Sequence, residues 1–423
     1  MIHITDKTEC CGCSACVQIC GHNAINMKTD NLGFSYPFVN QEKCIDCGLC
    51  EKVCPILNEN AERIPTRVFA VKNKDLSIRL ASSSGGLFSI IAENVLREDG
   101  VVYGAAFNEE WDVEHIRITK SEDLHKLRGS KYVQSSIGNI YKQVQKDLRN
   151  DKKVLFSGCP CQIAGLKMFL RKDYSNLTTV DVVCHGVPNP RIWKEYLHEE
   201  RLNLYKHFGD KRLKFTNEKL VIDNISFRDK KKGWEKFHFM IQMKEKKNDV
   251  EDYVMHTDST YVWEHPYMLM FLKDYILRPS CHNCHFRKGK GGSTYTIGDY
   301  WGISRFRPEF DDDKGTSILM QYDDKKAAWL ENADYIETSY KEVTWGNPAI
   351  HRSCPPCPES KAFYILHDRL HLNLLNTLNI CLKLTDARLN IKKVKKRSHS
   401  LIIKAIKKIM GETLTNKIKN NKI

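Results

Sequence analysis

Two cysteine runs near the N-terminus constrain this chain more than any other feature. Residues 44–55 read CIDCGLCEKVCP, a C-x2-C-x2-C-x3-C-P run, and residues 10–21 repeat the pattern as CCGCSACVQICG, with Gly21 where the proline would stand. Three cysteines in one tight loop hold three irons of a cubane, while the fourth lies on the following turn and faces the neighbouring cluster. Two such runs form a reciprocal pair. One [4Fe-4S] cluster is expected on Cys10, Cys13, Cys16 and Cys54, the other on Cys44, Cys47, Cys50 and Cys20. Gly12 and Gly48 suit loops whose N–H groups turn toward sulfur. Cys11 is surplus to both sets. A zinc module would instead join C-x2-C to a second pair many residues away.

The rest of the composition agrees with bound metal rather than cross-linking. Seventeen cysteines accompany an opening, MIHITDKTECCGC, that has neither the basic start nor the apolar stretch of a signal peptide. Thiols in a reducing compartment bind metal or react, so the chain is expected in the cytoplasm. No run approaches the roughly 18–20 uncharged apolar residues of a membrane span. The net charge of +14 is concentrated at one end: from Arg388 onward twelve Lys and Arg face one acid, Glu412, which leaves +3 for everything before. With no recognised binding module beside that charge, nucleic acid is not an expected partner. On a helix, Ile402, Ile406, Ile409 and Met410 share one side and Lys404, Lys407 and Lys408 the other. This pattern suits an anionic membrane surface on the inner face, an acidic partner, or packing on the chain's own domain.

After Ile64 and Pro65 the texture changes. VFAVKN and VVYGAAF read as buried strands, and SIRLASSSGGLFSIIAENVLRE between them as a polar loop feeding a helix. KKVLFSGCPCQIAGLKMFL and LTTVDVVCHGVPNPRIWKEYL each read as strand, cysteine-bearing turn and helix. Alternation of this kind predicts an α/β (mixed α+β) core with loops gathered at the strand ends, where ligands bind. Residues 205–260 read as strands with charged hairpin tips, RDKKKGWEK among them, and helices resume beyond Lys361.

Paired clusters pass single electrons, and a flavin takes one or two, so a flavin site is sought next. Ser84, Gly85 and Gly86 of SSSGG stand before a helix, where small residues let backbone N–H groups close on a phosphate. The same pattern also makes a plain N-cap. Lys131 and Tyr132 of GSKYVQS offer a positive charge and a ring, or ordinary surface. Asp299 of TIGDYWG fits a loop near a flavin, or a turn.

Over residues 1–58 the chain resembles the bacterial two-cluster ferredoxin. Through SSSGGLFS, GSKYVQS, FSGCPCQIAGLK, VVCHGVPNP, CHNCHF, TIGDYWG and KGTSILM, in that order, residues 1–325 resemble the family of coenzyme F420 hydrogenase/dehydrogenase beta subunits. The resemblance implies FAD in the α/β region and a third [4Fe-4S] cluster, with Cys161, Cys184, Cys281 and Cys284 at the family's ligand positions; Cys159 stands where a non-ligand is usual. The bland alternative is that Cys161 and Cys184 are buried small hydrophobes. CPPC at 354–357 competes for Cys281 and Cys284 as a zinc partner, but its prolines remove N–H donors and its distance from them exceeds a compact zinc ribbon. His185, His282 and His285 are not expected as ligands.

The expected organisation is a two-[4Fe-4S] ferredoxin-like domain over 1–60 and a flavin-loop region over 65–148. An inner-cluster region follows over 149–325, then a partly helical region over 326–390 and a basic amphipathic tail over 391–423. The expected function is an iron–sulfur flavoprotein oxidoreductase moving electrons between ferredoxin-like clusters and FAD. Its partners would be a redox protein or ferredoxin and a small organic donor or acceptor of the F420 kind. The alternatives are a relay subunit serving a partner enzyme and an accessory protein of a surface-polysaccharide pathway.

Overall fold

In the computed structural model the described residues are 1–208, 220–246, 253–324 and 327–393. The expected amphipathic tail therefore lies outside the described residues apart from 391–393. The first unit is built on the two cysteine loops. Each opens a short helix, α1 (Ala15–Ile19) and α2 (Leu49–Lys52), and a hairpin of β1 (Ile25–Thr29) and β2 (Ser35–Val39) lies between, Ile25 opposite Val39. Ser14 and Gly48, just ahead of the helices, are left-handed at φ +62° and +71°. That reversal lets the loop cysteines turn back toward the helix that follows.

The core begins with β3 (Arg67–Asn73), α3 (Leu76–Leu80), α4 (Leu87–Leu96), β4 (Val101–Phe107), β5 (Val113–Ile118) and α5 (Leu124–Leu127). It continues through α6 (Ile140–Arg149), β6 (Val154–Gly158), α7 (Pro160–Leu170), β7 (Leu177–Val182) and α8 (Pro190–Phe208). A separate antiparallel sheet of β8 (Leu220–Asp229), β9 (His238–Lys246) and β10 (Tyr253–Tyr261) intervenes before α9 (Pro266–Leu272). The chain then returns with β11 (Tyr295–Asp299), α10 (Ile303–Phe306), β12 (Ser317–Gln321), β13 (Ala333–Thr338) and α11 (Tyr340–Gly346), and closes with α12 (Pro358–Tyr364) and α13 (Leu374–Lys393).

The main sheet has eight strands in the order β13-β3-β12-β11-β7-β6-β4-β5. Its centre, β11-β7-β6-β4, is parallel, and the strands on either side pair antiparallel. Parallel strands need both faces covered, which is why β4 and β6 start as unbroken apolar runs, Val101–Tyr103 and Val154–Phe156, rather than alternating ones. The parallel order also puts the ends of β6, β7 and β11 on one edge, so Cys159 and Cys161, Cys184, and Asp299 emerge together.

One apolar cluster joins the first unit to this core. Cys11, Cys13, Ala15 and Val53 pack with Tyr141, Phe156, Ile163 and Phe169 of α6, β6 and α7. Gly165 lets the two approach closely: a Cβ there would stand 2.8 Å from Cys13 Cβ. Arg278, 1% exposed, completes the joint by donating to Cys10 O at 2.8 Å, Ser35 O at 2.9 Å and Gln134 Oε1 at 3.1 Å. A second, aromatic cluster fastens α8, α9 and the three-stranded sheet through Trp193, Tyr196, Phe227, Phe239 and Tyr267. Among the described residues no helix is long and apolar enough to cross a membrane.

Candidate functional site

The cysteines gather in distinct places. Cys10, Cys13, Cys16 and Cys54 line one cavity, the combination of three residues from one run and the last of the other that the reciprocal arrangement requires. Cys20 and Cys50 pack in a single apolar cluster, Cys44 is half-buried, and Cys47 is exposed, which sets that group nearer the surface. Backbone N–H groups already point at sulfur: Ile2 N donates to Cys50 Sγ at 3.3 Å and Ala24 N to Cys20 Sγ at 3.4 Å. Such donors stabilise a thiolate and raise a cluster's potential. Burial pushes the Cys10 thiol up to about 11 and raises Cys16 as well. Iron must displace those protons on binding.

Cys161, Cys184, Cys281 and Cys284 line a second cavity. They arrive from three places: the first turn of α7, the loop after β7, and the 3-10 turn Pro279–Asn283 with the residue that follows it. Val187 N donates to Cys281 Sγ at 3.4 Å. Arg287, buried against these thiols, donates to Cys184 O and, at 2.9 Å, to His185 O, holding the post-β7 loop in place. A set of four thiols around one hollow fits a cubane better than it fits four inert core residues. Cys159, set aside on sequence grounds, has its Sγ 3.8 Å from Cys184 Sγ, so it borders the same set. Cys11, surplus in the sequence, lines both cavities, as does Ile56. The four thiols of CHNC and CPPC do not converge: Cys354 turns to His185 and Cys357 to Glu359.

The flavin candidates lie along the same sheet edge and its neighbours. Ser84 Oγ donates to Thr316 O and Gly85 N to Ser317 Oγ, both at 2.9 Å, so the SSSGG loop is pinned to β12. Gly85 is obligatory there, since a Cβ would come within 2.4 Å of Val71 O. Gly86, at φ +80°, precedes α4. Tyr132 stacks on Phe271, and its hydroxyl accepts from Arg228 at 3.3 Å. Arg228 in turn grips Asp299 with both arms, at 2.8 and 3.2 Å. Lys131 does not reach outward: its Nζ donates to Arg128 O at 3.1 Å and Gly129 O at 3.2 Å, and burial lowers its pKa to about 7.

Sequence reasoning missed the cations of this region. RDKKKGWEK reads as an exposed hairpin tip, yet Arg228 and Lys230 are buried. Lys230 Nζ donates to Arg79 O, Ser84 O and Lys314 O with no carboxylate among its partners. Burial, together with Arg79 and Arg228, lowers its pKa to about 7. Arg228 Nε and Thr316 Oγ1 are buried without a hydrogen-bond partner. Excess buried positive charge and orphaned donors beside a glycine loop fit a phosphate-bearing cofactor. The only signal in the sequence was the two-residue spacing of Arg228, near the end of β8, from Lys230 just past it, which a charged composition obscures.

The family model described as "Coenzyme F420 hydrogenase/dehydrogenase, beta subunit N-term" matches residues 68–142, and its counterpart for the C-terminal part of the same protein matches 151–344. A 4Fe-4S dicluster domain model matches 9–57. A subunit of the F(420)H(2) dehydrogenase of Methanosarcina mazei is 24% identical over 165 residues, 36% of this chain and 46% of that protein. The coenzyme F420-dependent sulfite reductase of Methanocaldococcus jannaschii is 27% identical over 203 residues, 46% of this chain and 30% of that protein. The match thus spans less than half the length of either relative. Among solved structures, a chain of the xenon-derivatized F420-reducing [NiFe] hydrogenase complex from Methanosarcina barkeri aligns over 78% of this chain and 94% of its own, at 13% identity and a TM-score of 0.40.

Proposed function

Because the chain belongs to the family of coenzyme F420 hydrogenase/dehydrogenase beta subunits, with a 4Fe-4S dicluster domain in front, we propose that it conducts electrons between its N-terminal cysteine runs and an FAD for an organic partner of the deazaflavin class. It is an iron–sulfur electron-transfer protein of the oxidoreductase type. When bound, the clusters pass single electrons, and the flavin takes or gives one or two. One observation carries the reading: Cys11 and Ile56 line both thiol-bordered cavities, so the two share a wall of side chains.

Each residue has a task in this reading. Cys161, Cys184, Cys281 and Cys284 would hold the inner cluster, and the Val187 N–H would favour its more reduced state by donating to sulfur. Cys11 and Ile56 keep water out of the wall. Arg278 ties the first unit to the core through Cys10 O. Lys230, Arg228 and the Ser84-Gly85-Gly86 loop would hold the phosphates of FAD. The Gly85 N–H is already engaged by Ser317 and the Lys230 ammonium by three carbonyls, so Arg228 Nε is the cationic donor left free, and Lys230 would act through its charge. Tyr132, Lys131 and Asp299 would border the rest of the cofactor.

The test is anaerobic purification with iron, sulfide and flavin quantified together. About twelve irons and one flavin per chain are expected, and Cys284→Ser should leave about eight. Eight irons in the parent, or no flavin, overturns the reading. A second reading, a relay subunit serving a partner enzyme, draws support from the Methanosarcina mazei relative, itself one component of a larger dehydrogenase by its name. Flavin-loaded protein that reduces a deazaflavin unaided excludes it; protein that does so only with a second chain supports it.

A further inference from the structure

Three metal-binding side chains meet outside both cavities. His185 comes from the loop after β7, Asp274 from the turn just past α9, and Cys354 from the loop before α12. His185 Nε2 stands 2.6 Å from Asp274 Oδ1 and 3.4 Å from Cys354 Sγ, and the three donor atoms all lie within 4.8 Å of one another. The segments are far apart in sequence, so the convergence is a product of folding alone. Asp274 is left-handed, at φ +63°, a conformation that Asp and Asn tolerate better than other non-glycine residues. This turn carries its carboxylate to the imidazole. Phe271 packs edge-on against the His185 ring at 5.3 Å and limits where it can swing.

We propose that His185, Asp274 and Cys354 form a binding site for a single divalent cation of the zinc class, separate from the iron–sulfur centres. One thiolate, one imidazole and one carboxylate make a donor set that borderline-soft Zn2+ accepts, leaving a fourth position for water or a substrate atom. Charge agrees, since thiolate and carboxylate together neutralise a dication. Bonds of about 2.0–2.3 Å in a tetrahedron put neighbouring donors about 3.3–3.7 Å apart. The nitrogen–sulfur separation already has that value. The nitrogen–oxygen separation must open by about 0.6–0.7 Å as the metal replaces the proton between them. Sγ is 3.4 Å from each ring nitrogen, so it lies over the ring, and a turn of the imidazole must accompany metal entry. The thiol proton, now directed at His185 O at 3.0 Å, leaves with binding. Cys354 is buried while the imidazole is 38% exposed, so the fourth position opens on the histidine side, toward solvent.

The experiment uses the full chain, purified anaerobically with its iron in place, stripped of loose metal by a chelator and then supplied with zinc. One zinc per chain is expected in addition to the iron. Absorption at the zinc edge, where iron does not interfere, should show one sulfur at about 2.3 Å and nitrogen or oxygen at about 2.0–2.1 Å. Cys354→Ala and Asp274→Asn should each abolish stoichiometric zinc at a free concentration that saturates the parent, with iron content and circular dichroism unchanged. Asparagine keeps the left-handed turn, so the second variant removes a ligand without disturbing the backbone. A shell of several sulfurs would put the zinc in an iron–sulfur site and overturn the proposal. So would zinc retained in both variants, or a parent that binds none. The parent's iron content reads the cluster assignment independently, so failure of one does not imply failure of the other.

Discussion

Arg278 shows how much a single side chain decides in this molecule. Its guanidinium stacks over Tyr36 at 4.4 Å and satisfies two backbone carbonyls of the first unit and one amide of the core. Arg278→Ala takes the donor from those three part-buried acceptors and should cost about 1–3 kcal/mol. The readouts are urea unfolding and faster proteolysis between residues 58 and 66. His265 gives a prediction in pH. Its Nδ1 accepts from Met268 N at 3.3 Å, so Nε2 carries the proton and donates to Tyr196 Oη at 2.8 Å. Burial lowers its pKa to about 3. A folded pKa below the unfolded one means the unfolded chain binds more protons in between. The contribution is complete above pH 6.5 and falls by about 1.4 kcal/mol per unit as the medium is acidified toward pH 3. The difference in urea midpoint between the parent and His265→Asn should therefore shrink as pH falls from 7 to 4, which unfolding curves at each pH will measure.

At the scale of elements, α7 matters most because it serves two masters. Its first turn presents Cys161 to the inner cavity, and Gly165, one turn on, lies against Cys13 of the outer one. Gly165→Ala would bring a Cβ 2.8 Å from Cys13 Cβ and 3.0 Å from both Cys13 Sγ and Tyr141 Oη. Strain of about 1–3 kcal/mol should push α7 and the first cysteine loop apart. The expected outcome is a folded chain that holds about four fewer irons, the loss falling on the Cys10, Cys13, Cys16 and Cys54 set. Most elements were readable beforehand: β3, β4, β6, α7 and β7 follow their apolar runs and turn residues. The helix α9 stops at Leu272, and Asp274 two residues on adopts the left-handed turn that carries it to His185. β5 was not anticipated; its alternation of Val113, His115 and Arg117 with neighbours of every character gives no clean period.

For the whole molecule, the thiol sets differ in how far water reaches them. Cys47 is exposed and Cys44 half-buried, whereas Cys13, Cys16 and Cys54 are buried and only Cys10 of that set is half-buried. A strong iron chelator should therefore act in phases, removing about one third of the iron well before the rest if three cubanes are present. Release in one phase would mean that the sets are equally accessible. Mass spectrometry of alkylated thiols after the first phase should find Cys20, Cys44, Cys47 and Cys50 modified.

What the sequence determined by itself was chemistry that depends on short spacing. The two runs read as cubane ligands because three sulfurs within one loop can hold three irons of one cluster, whatever surrounds them. The residues at the ends of β6 and β7 were visible for a similar reason, since strand and helix periods are local. Tertiary structure alone decided what depends on residues distant in the chain. It made Cys11 a wall between two cavities and turned Arg228 and Lys230 of an apparently solvated hairpin inward. It also brought Cys354 across 169 positions to His185. Burial and long-range contact have no sequence period: a charged residue looks the same in the chain whether water or a buried partner meets it.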